Sequence, residues 1–455
     1  MREVAARSGF AGGQRLKDGR NEKKRIQMRV LMFGWEFPPH ITGGLGTACY
    51  GMCKGLLSQG VDVVFVVPKL HGDEDSSVAE MVNASDVEID LCNKVYRELF
   101  GNLTYIEVES GLIPYMGLGQ YFEIEKMNQS RTVFDVAAYS RRKYDFSGSY
   151  RANLLEEVEN YAMVAVEIAM RNRFDVIHAH DWLTYRAGIA AKKASGKPLV
   201  IHVHATEFDR SGENVNTVVY GIEREGMLAA DRIITVSNYT RDIVIKRYGI
   251  DAAKVFTVYN AVEPGAAAGR VRKPKTDSKR RIVTFLGRVT YQKGPEYFVE
   301  AARLVMEKDK NVEFVMAGSG DMLHKIVRRV ASLGMGNRFH FTGFLKGMDV
   351  DRMYAMSNVY VMPSVSEPFG ISPLEAMRSG VPVVISKQSG VAEILSHALK
   401  VDFWDVDAMA DAIYGLLHYP ALSETFARLG SADADSLKWS SAAEKIKKVY
   451  LSVIK

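Results

Sequence analysis

Short apolar runs rich in β-branched residues recur along the chain, and stretches with helical periodicity separate them. Arg29–Gly34 is one such run, closed by a Gly/Pro-rich turn; Thr47–Gln59 reads as a helix and Val61–Val67 as the next strand. Further strands are predicted at Phe174–His178, Pro198–His204, Arg232–Val236 and Val255–Val258. Strands that are apolar throughout, instead of alternating, belong to a parallel sheet covered by helices on both faces. Residues 70–152 break the rhythm with a long, mixed, aromatic-rich stretch, read as an insertion on the first domain. After a segment rich in Pro, Gly and basic residues the pattern restarts. Strands are predicted at Ile282–Leu286, Val312–Ala317, Arg338–Thr342, Val359–Pro363, Pro382–Ser386 and Leu399–Asp402, with helices from about Asp405 to the end. The expectation is two doubly wound α/β domains, residues 28–265 and 282–437, joined by a linker at 266–281, with a C-terminal helix over 438–455. In such sheets ligands bind where strands hand over to loops at their carboxyl ends, so the cleft between the domains is the expected site.

Charge changes this picture little. The 455 residues carry 59 Lys+Arg against 54 Asp+Glu, a net charge of +5. Residues 1–28 hold eight basic and three acidic side chains, which is the whole excess, and 1–27 are read as a solvated, disordered basic tail. The body is formally neutral, which argues against a nucleic-acid partner. No apolar segment follows Arg2, Arg7 and Arg15 as a secretory signal requires, and no run approaches the length of a membrane span, so a cytoplasmic location is expected. Three cysteines are too few for a disulfide framework; Cys49 and Cys53 read as small buried hydrophobes on one helix.

Chemistry concentrates at the predicted strand ends. The first turn, Glu36 to Gly46, places three glycines at the mouth of a helix, where backbone N–H groups and the helix dipole suit a phosphate; it also reads as a plain tight turn. The third glycine of the dinucleotide fingerprint is replaced by Cys49, which excludes an NAD site of that type. His178-Ala-His180-Asp181-Trp182 and His202-Val-His204 each put two imidazoles on one face of a strand. They fit a metal-dependent hydrolase, or core histidines satisfied by backbone, with His180 and Asp181 nearest the loop. Arg288 and Lys293 sit five apart around a turn and suit a diphosphate, or are an ordinary solvated pair. In Pro363–Met377, Glu367 and Glu375 lie eight apart. Ser372-Pro-Leu-Glu375 reads as a capping box, which would occupy Glu375, whereas Glu367 is left for a polyol.

Gly43-Gly44-Leu45-Gly46, His178–Trp182, Gly287-Arg288-x4-Lys293-Gly294 and Glu367-x7-Glu375 occur in the order seen in retaining nucleotide-sugar glycosyltransferases of the GT-B fold. The chain from Met28 onward resembles glycosyltransferase family 4 and the glycogen and starch synthases. That resemblance implies a diphosphate contact at the Gly43–Gly44 backbone, gripped by Arg288 and Lys293 from the other domain. It also implies a ribose contact at Glu375 and a base pocket lined by Phe344 and Leu345. Glu367 with the Phe369–Gly370–Ile371 backbone would hold the donor sugar, His180 would contact it near the reacting centre, and Asp181 would lie toward the acceptor. The last helix would cross back onto the first domain.

The implied reaction is metal-independent transfer of a hexosyl group with retention, with no cofactor beyond a UDP- or ADP-linked sugar as substrate. Charge building on the departing diphosphate would be stabilised by Arg288, Lys293 and N–H groups. Asp-x-Asp strings at Asp73, Asp349, Asp405 and Asp433 are read as helix starts, solvated loops or, for Asp73, as lying outside the cleft. Ile41 stands where bacterial glycogen and starch synthases have Lys, which leans away from ADP-glucose. Trp35–Pro39 and His204–Glu207 resemble relatives that make α-1,4-glucans. The acceptor is therefore expected to be an α-glucan or another glycoside, with a sugar phosphate or lipid-linked acceptor as the alternative.

Overall fold

The computed structural model describes residues 28–41, 43–90, 93–99, 141–148, 154–262 and 280–454. The expected basic tail, residues 100–140 of the expected insertion and most of the linker lie outside these residues.

The first domain opens with β1 (Met28–Phe33), α1 (Gly44–Ser58), β2 (Val61–Val67) and β3 (Glu80–Asn83). A small antiparallel ribbon, β4 (Ile89–Asp90) with β5 (Arg141–Arg142), encloses the short α2 (Lys94–Leu99). The winding resumes with α3 (Leu154–Arg171), β6 (Val176–His180), α4 (Trp182–Ser195), β7 (Leu199–Val203), α5 (Glu207–Ser211) and α6 (Thr217–Ala229). It ends with β8 (Arg232–Thr235), α7 (Asn238–Tyr248) and β9 (Val255–Thr257). The seven strands pair in the order β3-β2-β1-β6-β7-β8-β9, all parallel. Residues 80–83, expected inside an insertion, are thus the edge strand of the main sheet, paired with Val64–Val67. Only four residues long and partly exposed, β3 lacks the apolar run that marks a central strand.

The second domain runs β10 (Arg281–Leu286), α8 (Pro295–Lys308), β11 (Val312–Ala317), α9 (Leu323–Ser332), β12 (Phe339–Gly343), α10 (Met348–Met356) and β13 (Val359–Met362). There follow α11 (Ser372–Arg378), β14 (Val383–Ser386), β15 (Leu399–Val401), α12 (Val406–His418), α13 (Pro420–Ser436) and α14 (Trp439–Leu451). Its strands pair in the order β12-β11-β10-β13-β14-β15, again all parallel.

Strands β6 and β7 are buried along their whole length because each face meets helices. Alternate residues feed two cores. Leu31, Ile177, Ala179 and Ile201 pack under α3 and α4 with Tyr161 and Tyr185. Val30, Met32, Val176 and Val200 face α1, and the same core takes Trp439, Ala443, Ile446 and Tyr450 from α14. The C-terminal helix therefore completes the first domain. It approaches closely because α1 presents two glycines: a Cβ on Gly51 would lie 2.2 Å from Trp439 Nε1, and one on Gly55 would lie 2.5 Å from the Trp439 carbonyl oxygen.

A branched side chain at Gly55 meets backbone that cannot move without lifting α14. Gly55→Val is expected to lower the unfolding free energy by about 1–3 kcal/mol in urea titrations. Gly221→Ala, on α6 with nothing near its Cβ position, should raise it by up to about 1 kcal/mol through helix propensity alone. Equal effects from the two changes would refute the packing account.

Candidate functional site

Each sheet reverses its strand order once, between β1 and β6 in the first domain and between β10 and β13 in the second. At those points neighbouring connections leave on opposite faces and open a crevice at the carboxyl edge. The motifs singled out in the sequence fall there: the Gly43–Gly44 turn after β1, His180 and Asp181 ending β6, Arg288–Lys293 after β10 and Pro363–Ile371 after β13.

The two second-domain loops are fastened to each other. The Lys293 ammonium pairs with the Glu367 carboxylate, which also accepts from Ser364 Oγ at 3.3 Å. Gln292 O accepts the Val365 N–H at 2.9 Å, and Glu367 N–H donates to Gln388 O at 2.9 Å. Gly294 permits this approach: its φ is 63°, and a Cβ there would sit 2.1 Å from Pro363 O. Glu367 is 6% exposed, and a carboxylate so buried needs a cation partner. Arg288 is exposed and makes no ion pair among the described residues. Lys293 and Glu367, assigned separately from sequence, are thus one unit, with the exposed Arg288 on the same loop as Lys293.

The capping box expected at Ser372–Glu375 does not form. Helix α11 starts at Ser372 itself, so that residue lies inside the helix and cannot cap it. Its Oγ accepts from the Tyr360 hydroxyl at 2.8 Å, while the Glu375 carboxylate meets the Tyr354 hydroxyl at 3.4 Å. Burial raises the Glu375 carboxyl above its ordinary value, and Tyr354 partly offsets this. Phe344, after β12, is 54% exposed with the Lys346 ammonium 5.5 Å from its ring centre, whereas Leu345 packs on the second-domain core.

The first-domain elements meet these loops directly. Ile371 packs against the cores of both domains, and its Cδ1 lies 3.9 Å from the Cβ position of Gly44. Ser237 Oγ and Thr240 Oγ1 donate to Pro368 O at 2.6 and 3.3 Å. Ser366 Oγ donates to Asp209 at 2.5 Å and lies 2.9 Å from the Tyr239 hydroxyl. The first N–H groups of α7, at Asn238 and Tyr239, donate to Glu393 of the second domain at 3.0 and 2.6 Å. Sequence reading missed Asp209, Tyr239, Ser366 and Glu393. Asp209 belongs to a legible capping box with Thr206, but no local pattern announces a partner 157 positions away.

At the other edge of the crevice, His180 is fully buried, so this structure does not present its ring as the expected sugar contact. Its Nδ1 lies 2.9 Å from Nε2 of His204, which is partly exposed. His178 Nδ1 shares a 2.6 Å hydrogen bond with the Tyr450 hydroxyl. Burial holds all four imidazoles below their ordinary pKa, His178 and His204 at about 3. Asp181 adopts φ 57°, unusual outside glycine, and its carboxylate accepts the His204 and Ala205 N–H groups at 2.6 and 3.3 Å. Burial pushes its pKa up to about 7.

In the first turn, Glu36 takes the Gly46 N–H at 3.2 Å, so one of the helix-end donors expected for a phosphate is already engaged. Asp73, expected outside the cleft, lies 2.6 Å from His40 of that same turn. Asp405 caps α12 and Asp349 stands in the first turn of α10, as expected of helix starts. Asp433, instead, lies within α13, accepting the Ser396 and His397 N–H groups.

Comparison with known proteins extends this geometry. Residues 29–257 match the starch synthase catalytic domain, and residues 270–432 match the glycosyl transferases group 1. The chain is 29% identical to an uncharacterised glycosyltransferase of Methanocaldococcus jannaschii, over 81% of this chain and 83% of that one. It is 24% identical to a glycogen synthase of Mycobacterium tuberculosis, over 93% and 95% respectively. The fold superposes on sucrose-phosphate synthase from Thermosynechococcus elongatus with a TM-score of 0.67 at 18% identity, covering 93% of this chain and 98% of that one. Two parallel sheets whose reversal points face each other, each carrying its own half of the family pattern, make this chain a glycosyltransferase of the GT-B type, related to the glycogen and starch synthases.

Proposed function

We propose that the chain transfers a glucosyl group from a nucleoside-diphosphate sugar to a hydroxyl of an α-glucan, with retention of the α-configuration. The observation that carries this reading is the Lys293–Glu367 pair on the loop that bears the exposed Arg288, which makes no ion pair among the described residues, at the reversal point of the second sheet. An arriving diphosphate takes Arg288 as a bidentate partner and shares Lys293 with Glu367. The carboxylate is then available to accept from sugar hydroxyls, beside the Phe369–Gly370–Ile371 backbone. Gly43 and Gly44 contribute backbone from the first domain, Glu375 is assigned to the ribose, and Phe344 with Leu345 to the base.

As the glycosidic bond breaks, its electron pair goes to the diphosphate oxygen, and Arg288 and Lys293 meet that charge without a metal ion. Retention follows if the acceptor oxygen attacks from the face the diphosphate leaves. At the first-domain edge the imidazole accessible to a sugar is His204, with His180 fixing its tautomer from beneath. Asp181 lies on the same edge, toward the acceptor. The α-glucan acceptor rests on the match of residues 29–257 to the starch synthase catalytic domain and on the glycogen synthase relative.

Incubation with UDP-, ADP- and GDP-glucose and a glucan primer should release nucleoside diphosphate with one donor and lengthen the primer by α-linked units, read by anomeric proton NMR. Failure of every donor, with no nucleoside diphosphate bound, would overturn the reading. Arg288→Ala should lower kcat/KM by about 100- to 1,000-fold with thermal stability unchanged. Glu375→Gln should raise the donor KM while the melting temperature stays the same; an unchanged KM would remove the ribose assignment. For Asp181 the folded pKa, about 7, lies above the ordinary 3.8, so its ionisation opposes folding increasingly as pH climbs through that window. Asp181→Asn, whose amide oxygen can still accept the two N–H groups, should match the native protein's melting temperature near about pH 4 and exceed it increasingly toward about pH 8. A pH-independent difference would refute the buried carboxyl.

A further inference from the structure

The four imidazoles beneath the first sheet's carboxyl edge carry a second message. In the parallel register His180 stands opposite His202, and His178 and His204 are each two residues from one of them. All four rings therefore emerge on one face, the face that packs against α1 and α14. Ring centres of consecutive neighbours are 4.3–5.5 Å apart.

A histidine placed in a core for packing finds partners for its nitrogens. Here His178 and His180 each have one nitrogen committed, to Tyr450 and to His204, and the other, Nε2, buried without a partner among the described residues. Both nitrogens of His202 are likewise buried without a partner among those residues. One nitrogen held by a hydrogen bond and the other left bare is the pattern of a metal-ligating imidazole, because the outer bond fixes the tautomer and orients the lone pair. Ligand atoms of His178, His180 and His202 all lie within 4.8 Å of one another. The Cys49 thiol shares a span of the same size with His180 and His204, so a soft donor adjoins the three.

We propose that His178, His180 and His202 hold a first-row divalent transition metal, zinc in the first instance, as a buried ion tying β6 to β7. Three neutral imidazoles favour zinc, nickel or copper and offer nothing to magnesium or calcium, which take oxygen ligands. The ion lies below the reacting edge and takes no part in bond breaking. Its effect is positional: it fixes the strand ends from which His204 and Asp181 project. The assignment rests on these rings alone and is independent of the proposed donor and acceptor.

The full-length protein, stripped by chelator dialysis, is titrated with Zn²⁺ by calorimetry and with Co²⁺ by electronic absorption, in the absence of any sugar nucleotide. One equivalent of each should bind, Co²⁺ should show the intense visible bands of a four-coordinate site, and Zn²⁺ should raise the melting temperature. His202→Phe and His178→Phe should each weaken Zn²⁺ binding by about 100-fold or more and abolish that rise. Should a phenylalanine variant fail to fold, His202→Gln supplies the same reading. His40→Ala, in the exposed group formed with Asp73 and Glu74, should leave binding unchanged. Absence of stoichiometric binding overturns the proposal. So does binding that survives His202→Phe and His202→Gln, or that disappears with His40→Ala. Because no donor is present, failure of the metal site and failure of the transferase reading are separate results.

Discussion

A parallel sheet forces its chain to return to the same end before each new strand, and that constraint governs this molecule. Every strand of both large sheets runs the same way, so every strand-to-helix handover in a domain opens on one edge. Where the order of strands reverses, the edge splits into a crevice. The first domain places a glycine turn and a histidine strand end at its reversal, and the second places a cationic loop and an acidic one. Local sequence decides what stands at each crevice; the direction of the strands decides that it stands there at all.

The same constraint explains why the domains bind each other through polar groups. Strand-end loops expose N–H groups, carbonyls and short side chains, which pair well across an interface and poorly with apolar surface. Pro368 O receives two hydroxyls, Glu393 receives the first N–H groups of α7, and Ser366 bridges Asp209 and Tyr239. These bonds surround the loop bearing Glu367, so its carboxylate is positioned by both domains although it belongs to one. Among the described residues, apolar contact between the domains comes from Ile371 and Leu437, which the two cores share, and from Val236, Tyr259 and Val262 of the first domain packed in the second-domain core.

Much of the fold was legible because buried parallel strands carry an unmistakable signal. Val61–Val67 and Val312–Ala317 agree with their predicted limits, and most other strands differ by one or two residues at an end. The miss at Glu80–Asn83 has a physical cause: an edge strand with exposed residues does not need an apolar run. In the site, the pairing of Lys293 with Glu367 was hidden because the two residues are 74 positions apart and meet only through the adjacency of β10 and β13. The capping box read at Ser372–Glu375 failed because Ser-x-x-Glu describes a cap only if the serine precedes the helix, and here it begins it. His180 was read as lying nearest the loop, and it does end its strand; its burial was not legible, because α1 and α14, packed closely at Gly51 and Gly55, cover that face.

The packing of α14 on α1 also determines how the two halves are joined. The chain leaves the first domain after Val262, builds the second, and returns at Leu437 and Lys438 to finish the first. Two covalent crossings, instead of one, therefore join the bodies. A chain cut short of α14 would therefore lose a helix of its first domain, although the cut lies beyond the last strand of its second.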